Sequence, residues 1–191
     1  MRCLACHKLS WQTFCSSCQN RLLQPSITKR KIGSLEVYSF FKYQNIEDLL
    51  LTKHTPQGYI VYRALAKQTF RVFIRNFIKE DSREVYIVGI DESIKSGYSH
   101  VALLTQQSDY KNTKVLYAKL MATNPVKYAG KGLQFRLENP RKFRYTGKKD
   151  IEVILVDDII TTGTTLLEAS RVLKQNRVKV LFALTLADAK G

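Results

Sequence analysis

Acidic residues are scarce in this chain: 16 Asp and Glu stand against 31 Lys and Arg in 191 residues, a net charge of +15. That imbalance predicts attraction to polyanions, nucleic acid first and anionic membrane second. Long apolar runs are also missing. No stretch approaches the ~18 residues needed to span a bilayer, and the N-terminus lacks the apolar core of a signal peptide. A cytoplasmic location is expected, at most peripheral to the inner membrane and with no transmembrane segment. No internal repeat or low-complexity tract occurs, and this length suits one ordinary domain plus a small appendage. Cysteine is absent beyond residue 18, which confines any thiol chemistry to the N-terminus.

What cysteine there is forms a pattern. Cys3 and Cys6, then Cys15 and Cys18, make two Cys-x-x-Cys pairs with eight residues between them. Each pair is a tight turn that brings two sulfurs to one ion, and four thiolates close the shell of a structural zinc (Zn2+). Two disulfides or two redox-active pairs are the competing readings, disfavoured in a reducing cytosol. A unit of residues 1–24 has too few apolar residues for a core of its own, so it would depend on the metal. Trp11 and Phe14 are expected to supply its few apolar contacts. Residues 19–31 read as a basic linker containing Lys29, Arg30 and Lys31.

The rest, residues 33–191, alternates strand and helix patterns, which predicts a parallel sheet with flanking helices and right-handed crossovers. Strands are expected at 35–41, 85–90, 115–120, 151–156 and 178–186. One long helix is expected over 58–79, with shorter ones near 46–51, 98–106 and 165–175.

Chemistry concentrates at 153–165. Four apolar residues, 153–156, lead to Asp157 and Asp158, which stand where a parallel sheet binds ligands. Thr161, Thr162, Gly163, Thr164 and Thr165 then open a helix. Small hydroxylated residues around a glycine can wrap N–H groups about a phosphate, and the helix dipole favours the anion. The carboxylates repel that phosphate but suit a ribose diol with a divalent cation nearby. Together they point to a ribose-5-phosphate. The run 153–163 resembles, without a gap, the signature with which type I phosphoribosyltransferases bind phosphoribosyl pyrophosphate (PRPP). The resemblance implies that PRPP binds with Mg2+, its ribose at the two aspartates and its 5′-phosphate at 161–165. On that reading, Asp158→Ala weakens PRPP binding and leaves the fold intact.

Two further segments carry the resemblance. The loop 91–100 offers Lys95, Ser96 and Gly97 as pyrophosphate contacts. Gly97-Tyr98-Ser99-His100 resembles the Gly-Phe-Asn-Gln of the ComF family of competence-associated proteins, although Ser96 stands where that family has arginine. Residues 124–149 hold eight basic residues, among them Lys127, Lys131, Arg136, Arg141, Lys142 and Arg144, against the single acid Glu138. Tyr128, Phe135, Phe143 and Tyr145 are interleaved, and bases can stack on such rings while cations track phosphates. Arg136-Leu137-Glu138-Asn139 followed by Phe143 resembles that family's Arg-x-x-Asn-x-x-x-Phe. The order of all these motifs is similar to ComF/ComFC-type proteins, which join a zinc finger to a phosphoribosyltransferase domain. The resemblance implies handling of single-stranded DNA during natural transformation, beside helicase-like or recombination proteins. A metabolic phosphoribosyltransferase that joins a nucleobase to PRPP is the alternative, and a catalytically retired DNA-binding adaptor is a second.

Overall fold

A computed structural model describes residues 1–90, 97–124, 126, 128, 130 and 132–190. Helix α1 (Ser16–Arg21) precedes a hairpin of β1 (Thr28–Ile32) and β2 (Leu35–Lys42). Helices α2 (Tyr43–Leu50), α3 (Pro56–Gln68) and α4 (Phe70–Glu80) lead to β3 (Val85–Gly89), α5 (His100–Thr105) and β4 (Thr113–Val115). A small ribbon of β5 (Leu120–Ala122) and β6 (Phe143–Tyr145) brackets α6 (Leu133–Glu138). The chain continues through β7 (Ile151–Ile160), α7 (Thr164–Gln175) and β8 (Val178–Asp188).

Six strands form one sheet in the order β1-β2-β8-β7-β3-β4. Its ladders are parallel except for the β1–β2 hairpin. All of β3 is buried, as expected of a strand covered on both faces. One face packs under α2, α3, α4 and α5 through Phe40, Tyr62, Leu65, Phe70 and Leu104. The other packs under α7 and the β5–β6 ribbon through Leu166, Ala169, Leu173, Leu120 and Tyr145. Neighbouring strands β3 and β7 send their chains outward in opposite directions, to β4 and to β8. That reversal is a topological switch point, where open parallel sheets bind ligands.

Several elements differ from the sequence expectation. The helix expected over 58–79 is two, broken at the buried Thr69, whose backbone lies at φ −116°, ψ −84°. Its Oγ1 donates to the Leu65 carbonyl at 2.8 Å, beside the Thr69 N–H that donates to the same oxygen at 3.1 Å, a back-bonding that accompanies a bend. The basic stretch around Lys29 is not a linker but the edge strand β1, because Ile32 and its neighbours pair with β2 residue for residue. The strand expected at 115–120 is two short pieces belonging to different sheets. Strand β7 runs through both aspartates to Ile160, its far half still paired with β8.

At the N-terminus Phe14 is 1% exposed, whereas Trp11 is 97% exposed. Phe14, Cys3, Cys18 and Leu23 join the same apolar cluster as Tyr62 and Leu65 of α3. The cysteine unit therefore leans on α3, and Trp11 contributes nothing to its packing.

Candidate active site

The pairing pattern of β7 explains why its two aspartates meet different surroundings. On the β3 side the ladder ends with Gly89 opposite Val156, followed by the Ile90 N–H donating to the Val156 carbonyl at 2.9 Å. From Asp157 onward the named ladder continues on the β8 side. Adjacent residues of a strand point to opposite faces, and the two aspartates accordingly part company.

Asp158 turns toward the α3–α5 face. It is 7% exposed, with Lys53 Nζ 3.1 Å and His100 Nε2 3.3 Å from its Oδ2. Burial alone would raise this carboxyl, but the hydrogen bond from His100 and the charge of Lys53 hold it well below the usual carboxylate range. His54 and Tyr62 set their ring edges against His100, at centroid separations of 5.8 and 5.6 Å. Neither Lys53 nor His100 carries a role in the sequence reading. Their only sequence signals are a lone lysine after a short helix and the last residue of the Gly-Tyr-Ser-His motif.

Asp157 turns the other way. It lines a narrow cleft of about 20 Å³ together with Arg136, Thr161, Gly163 and Thr165. One Asp157 carboxylate oxygen accepts the Asp158 N–H at 2.9 Å. Gly163 lies at φ 82°, which favours glycine, and a Cβ there would also have to push aside the Ile32 side chain, whose end lies 2.7 Å away. Helix α7 starts at the next residue, and its first N–H groups have no partner within the helix. Thr162 and Thr164 share a hydroxyl contact at 3.1 Å. Such a turn can hold a phosphate.

Two arginines brace the turn. Arg136, from α6, donates through Nη1 to Thr161 Oγ1 at 2.7 Å and through Nη2 to the Tyr128 carbonyl at 3.1 Å. Burial moves its guanidinium below the ordinary value, so an anion beside it would be welcome. Arg30, from β1, donates to the Thr161 carbonyl at 2.5 Å and to Asp188 Oδ1 at 2.8 Å. Arg30 was legible only as one member of a basic run, and nothing local in the sequence points it at residue 161.

The remaining candidates divide. Lys95, Ser96, Lys127 and Lys131 lie outside the described residues. Gly97 has φ 82° and open space around it. Arg141 turns inward, its guanidinium 4.4 Å from the centroid of the Tyr128 ring, while Lys142 and Arg144 are exposed. Tyr128, Phe143 and Tyr145 are buried. Three of the four rings expected to stack bases therefore serve packing instead. The buried Tyr128 hydroxyl donates to the Asn139 carbonyl at 2.5 Å.

The sulfurs of Cys3, Cys6, Cys15 and Cys18 lie within 4.8 Å of one another, a set able to hold a metal ion. A tetrahedral ion with bonds of about 2.3 Å would space them about 3.8 Å apart, a small contraction. Burial would raise the Cys3 thiol, but N–H groups of Cys15 and Ala5 aimed at its sulfur bring it down to about 6. Burial and the neighbouring sulfurs push Cys18 up to about 12.

Residues 53–191 match the profile of the phosphoribosyl transferase domain. The chain belongs to that family. The cysteine-bearing N-terminus lies outside the matched span. A transcriptional regulator of Methanosphaera stadtmanae, GfcR, is 24% identical over an alignment of 160 residues that covers 76% of this chain and 79% of that one. Among solved structures, the adenine phosphoribosyltransferase of Saccharomyces cerevisiae is 16% identical, with 92% of each chain covered and a TM-score of 0.47. The UMP synthase of Leishmania donovani is also 16% identical, covering 73% of this chain with a TM-score of 0.42. This chain spans only 24% of that synthase's length. No helix among the described residues is long and apolar enough to cross a membrane.

Proposed function

We propose that the cleft beside β7 binds PRPP with Mg2+ and that the protein is a PRPP-dependent phosphoribosyltransferase. The observation that carries this reading is the convergence of Asp157, Arg136 and the turn at 161–165 on one cleft. The turn and the start of α7 hold the 5′-phosphate, and Asp157 accepts from the ribose hydroxyls. Asp158 faces the other way and serves as the anchor that fixes β7 beneath them. A cleft of about 20 Å³ has no room for a phosphate. Ligand entry therefore breaks the contact between Arg136 and Thr161, and the guanidinium exchanges a hydroxyl partner for a charged one. Asp157 would help hold a Mg2+ that accompanies PRPP, and that ion would supply charge neutralisation for the departing pyrophosphate. An acceptor nucleophile bonds to the ribose C1 while the bond from that carbon to the pyrophosphate oxygen breaks. The test is calorimetric titration of Mg-PRPP into wild type and Asp157→Ala. Binding to wild type that is lost in the variant is the expected result, and equal affinity in the two would sink the assignment.

A second reading is favoured by the charge of +15: besides PRPP, the protein handles single-stranded nucleic acid, as its resemblance to ComF-type proteins implies. On this reading the protein works in the cytoplasm, peripheral to the inner membrane, beside helicase-like or recombination partners. The four cysteines hold one structural zinc, which stabilises the N-terminal unit of residues 1–24 ahead of the phosphoribosyltransferase domain of residues 33–191. Elemental analysis giving one zinc per chain, lost when Cys6 and Cys15 are both replaced by serine, is the expected outcome. Zinc content unaffected by that change would remove the assignment.

A further inference from the structure

A second opening lies away from the cleft at β7. A groove of about 520 Å³ runs between the cysteine-bearing N-terminus and α3. Gln12, Thr13 and Gln19 form one side, Tyr59, Arg63 and Lys67 the other, and the buried Phe14 floors it.

Both walls come from stretches without a single acid. Residues 1–28, ahead of β1, contain no Asp or Glu and three Lys or Arg, and residues 56–79 contain none and five. Two acid-free stretches facing each other concentrate positive potential between them, and a concave site focuses it. Aromatic surface lines the groove at Tyr59 and stands next to it at Trp11. Trp11, the one tryptophan of the chain, precedes Gln12 and is 97% exposed. Tyr59 is 39% exposed, and the Arg63 guanidinium sits 5.4 Å from its ring centroid. Exposed rings, planar guanidinium and side-chain amides flanked by lysine and arginine are what unpaired bases and their phosphates require. A duplex has its bases already stacked and gains nothing from the rings. A membrane needs a convex face, whereas this site is hollow.

We propose that this groove binds single-stranded nucleic acid, with Trp11 and Tyr59 as stacking rings and Arg63 and Lys67 as phosphate contacts. The inference rests on the nucleic-acid reading above and places the contact away from 124–149, where three of the four rings are buried.

Because Trp11 is the one tryptophan and adjoins the lining residue Gln12 in the chain, its fluorescence reports on the N-terminal side of the groove. The full-length, metal-loaded protein is titrated with a single-stranded thymidine oligomer of about 20 nucleotides, followed by tryptophan quenching and, with a labelled oligomer, by anisotropy. Quenching at saturation is expected. Trp11→Ala weakens binding roughly tenfold in the anisotropy assay. The double change Arg63→Ala and Lys67→Ala lowers the slope of log affinity against log salt by about 1.4, that is about 0.7 for each phosphate contact. Neither variant changes Mg-PRPP affinity, and Lys142→Ala with Arg144→Ala leaves oligomer binding as in wild type. Oligomer binding without quenching, and with an unchanged salt slope in the Arg63 and Lys67 variant, overturns the groove and keeps the nucleic-acid reading. Absence of any binding to wild type overturns both. Quenching by polyglutamate but not by the oligomer overturns the proposal in favour of an acidic protein partner.

Discussion

Asp157 and Asp158 are chemically identical neighbours with different environments, and their substitution should separate binding from stability. Asp157→Asn is expected to abolish PRPP binding in calorimetry while leaving the unfolding midpoint nearly unchanged. Asp158→Asn leaves Lys53 and His100 facing an amide in a largely buried place. It should cost about 1–3 kcal/mol in denaturant unfolding, contrary to the unperturbed fold expected from the sequence. The same network sets a pH dependence. The folded-state carboxyl of Asp158 is held below its unfolded value, so its contribution is complete above the ordinary carboxylate range. As pH falls below about 4 the unfolded chain takes up a proton that the folded one refuses, and the contribution is progressively lost. The Asp158→Asn variant should lack that component when stability is followed from neutral to acid pH. Gly163→Ala is expected to cost about 1–3 kcal/mol, since both its φ of 82° and the Ile32 side chain oppose a Cβ.

Elements, rather than residues, bring the site together. The turn before α7 is held from outside by β1 through Arg30 and by α6 through Arg136. These two supports differ in kind. Arg30 is tied at both ends, to Asp188 and to Thr161, and belongs to the sheet. Arg136 sits on a helix of six residues with no buried side chain. Arg30→Gln should therefore lower both the unfolding midpoint and PRPP affinity, with Arg30→Lys restoring only part because a lysine cannot fork to two acceptors. Arg136→Gln should lower PRPP affinity with little change in thermal unfolding. Parallel loss of stability in both variants would show that α6 is a structural brace and not a ligand contact.

Across the whole molecule, the cysteine unit and the α/β domain share one apolar cluster through Phe14, Leu23, Tyr62 and Leu65. Removal of the zinc proposed above is thus expected to do more than loosen a terminus. Treatment with a strong chelator should lower the unfolding midpoint of the full chain, because Phe14 and Leu23 lose their frame and expose the side of α3 they cover. An unchanged midpoint after verified zinc loss would mean that the unit folds without its ion. The charge of +15 is likewise a property of the whole chain. Its acid-free stretches come together only when residues 1–28 fold against α3, which is why the basic, aromatic-rich segment 124–149 drew attention in the sequence and the groove did not.

Much of this protein is written locally. The cysteine spacing, the apolar run before Asp157, the small residues 161–165 and the alternation of strand and helix patterns each depend on neighbours within a few positions. Local chemistry of that kind survives without knowledge of the fold, so the family, the sheet and the turn at 161–165 could be read directly. Other features depend on contacts far apart in sequence. Lys53 meets Asp158 across 105 positions and Arg30 meets Thr161 across 131, and no periodicity encodes such distances. The burial of Tyr128, Phe143 and Tyr145 is of this type too, since an aromatic beside a lysine reads the same whether its ring faces water or α7. Local pattern by itself determined which residues can do chemistry. Tertiary packing decided which of them face the cleft, because strand register and the two-sided covering of the sheet send Asp157 and Asp158 to opposite faces.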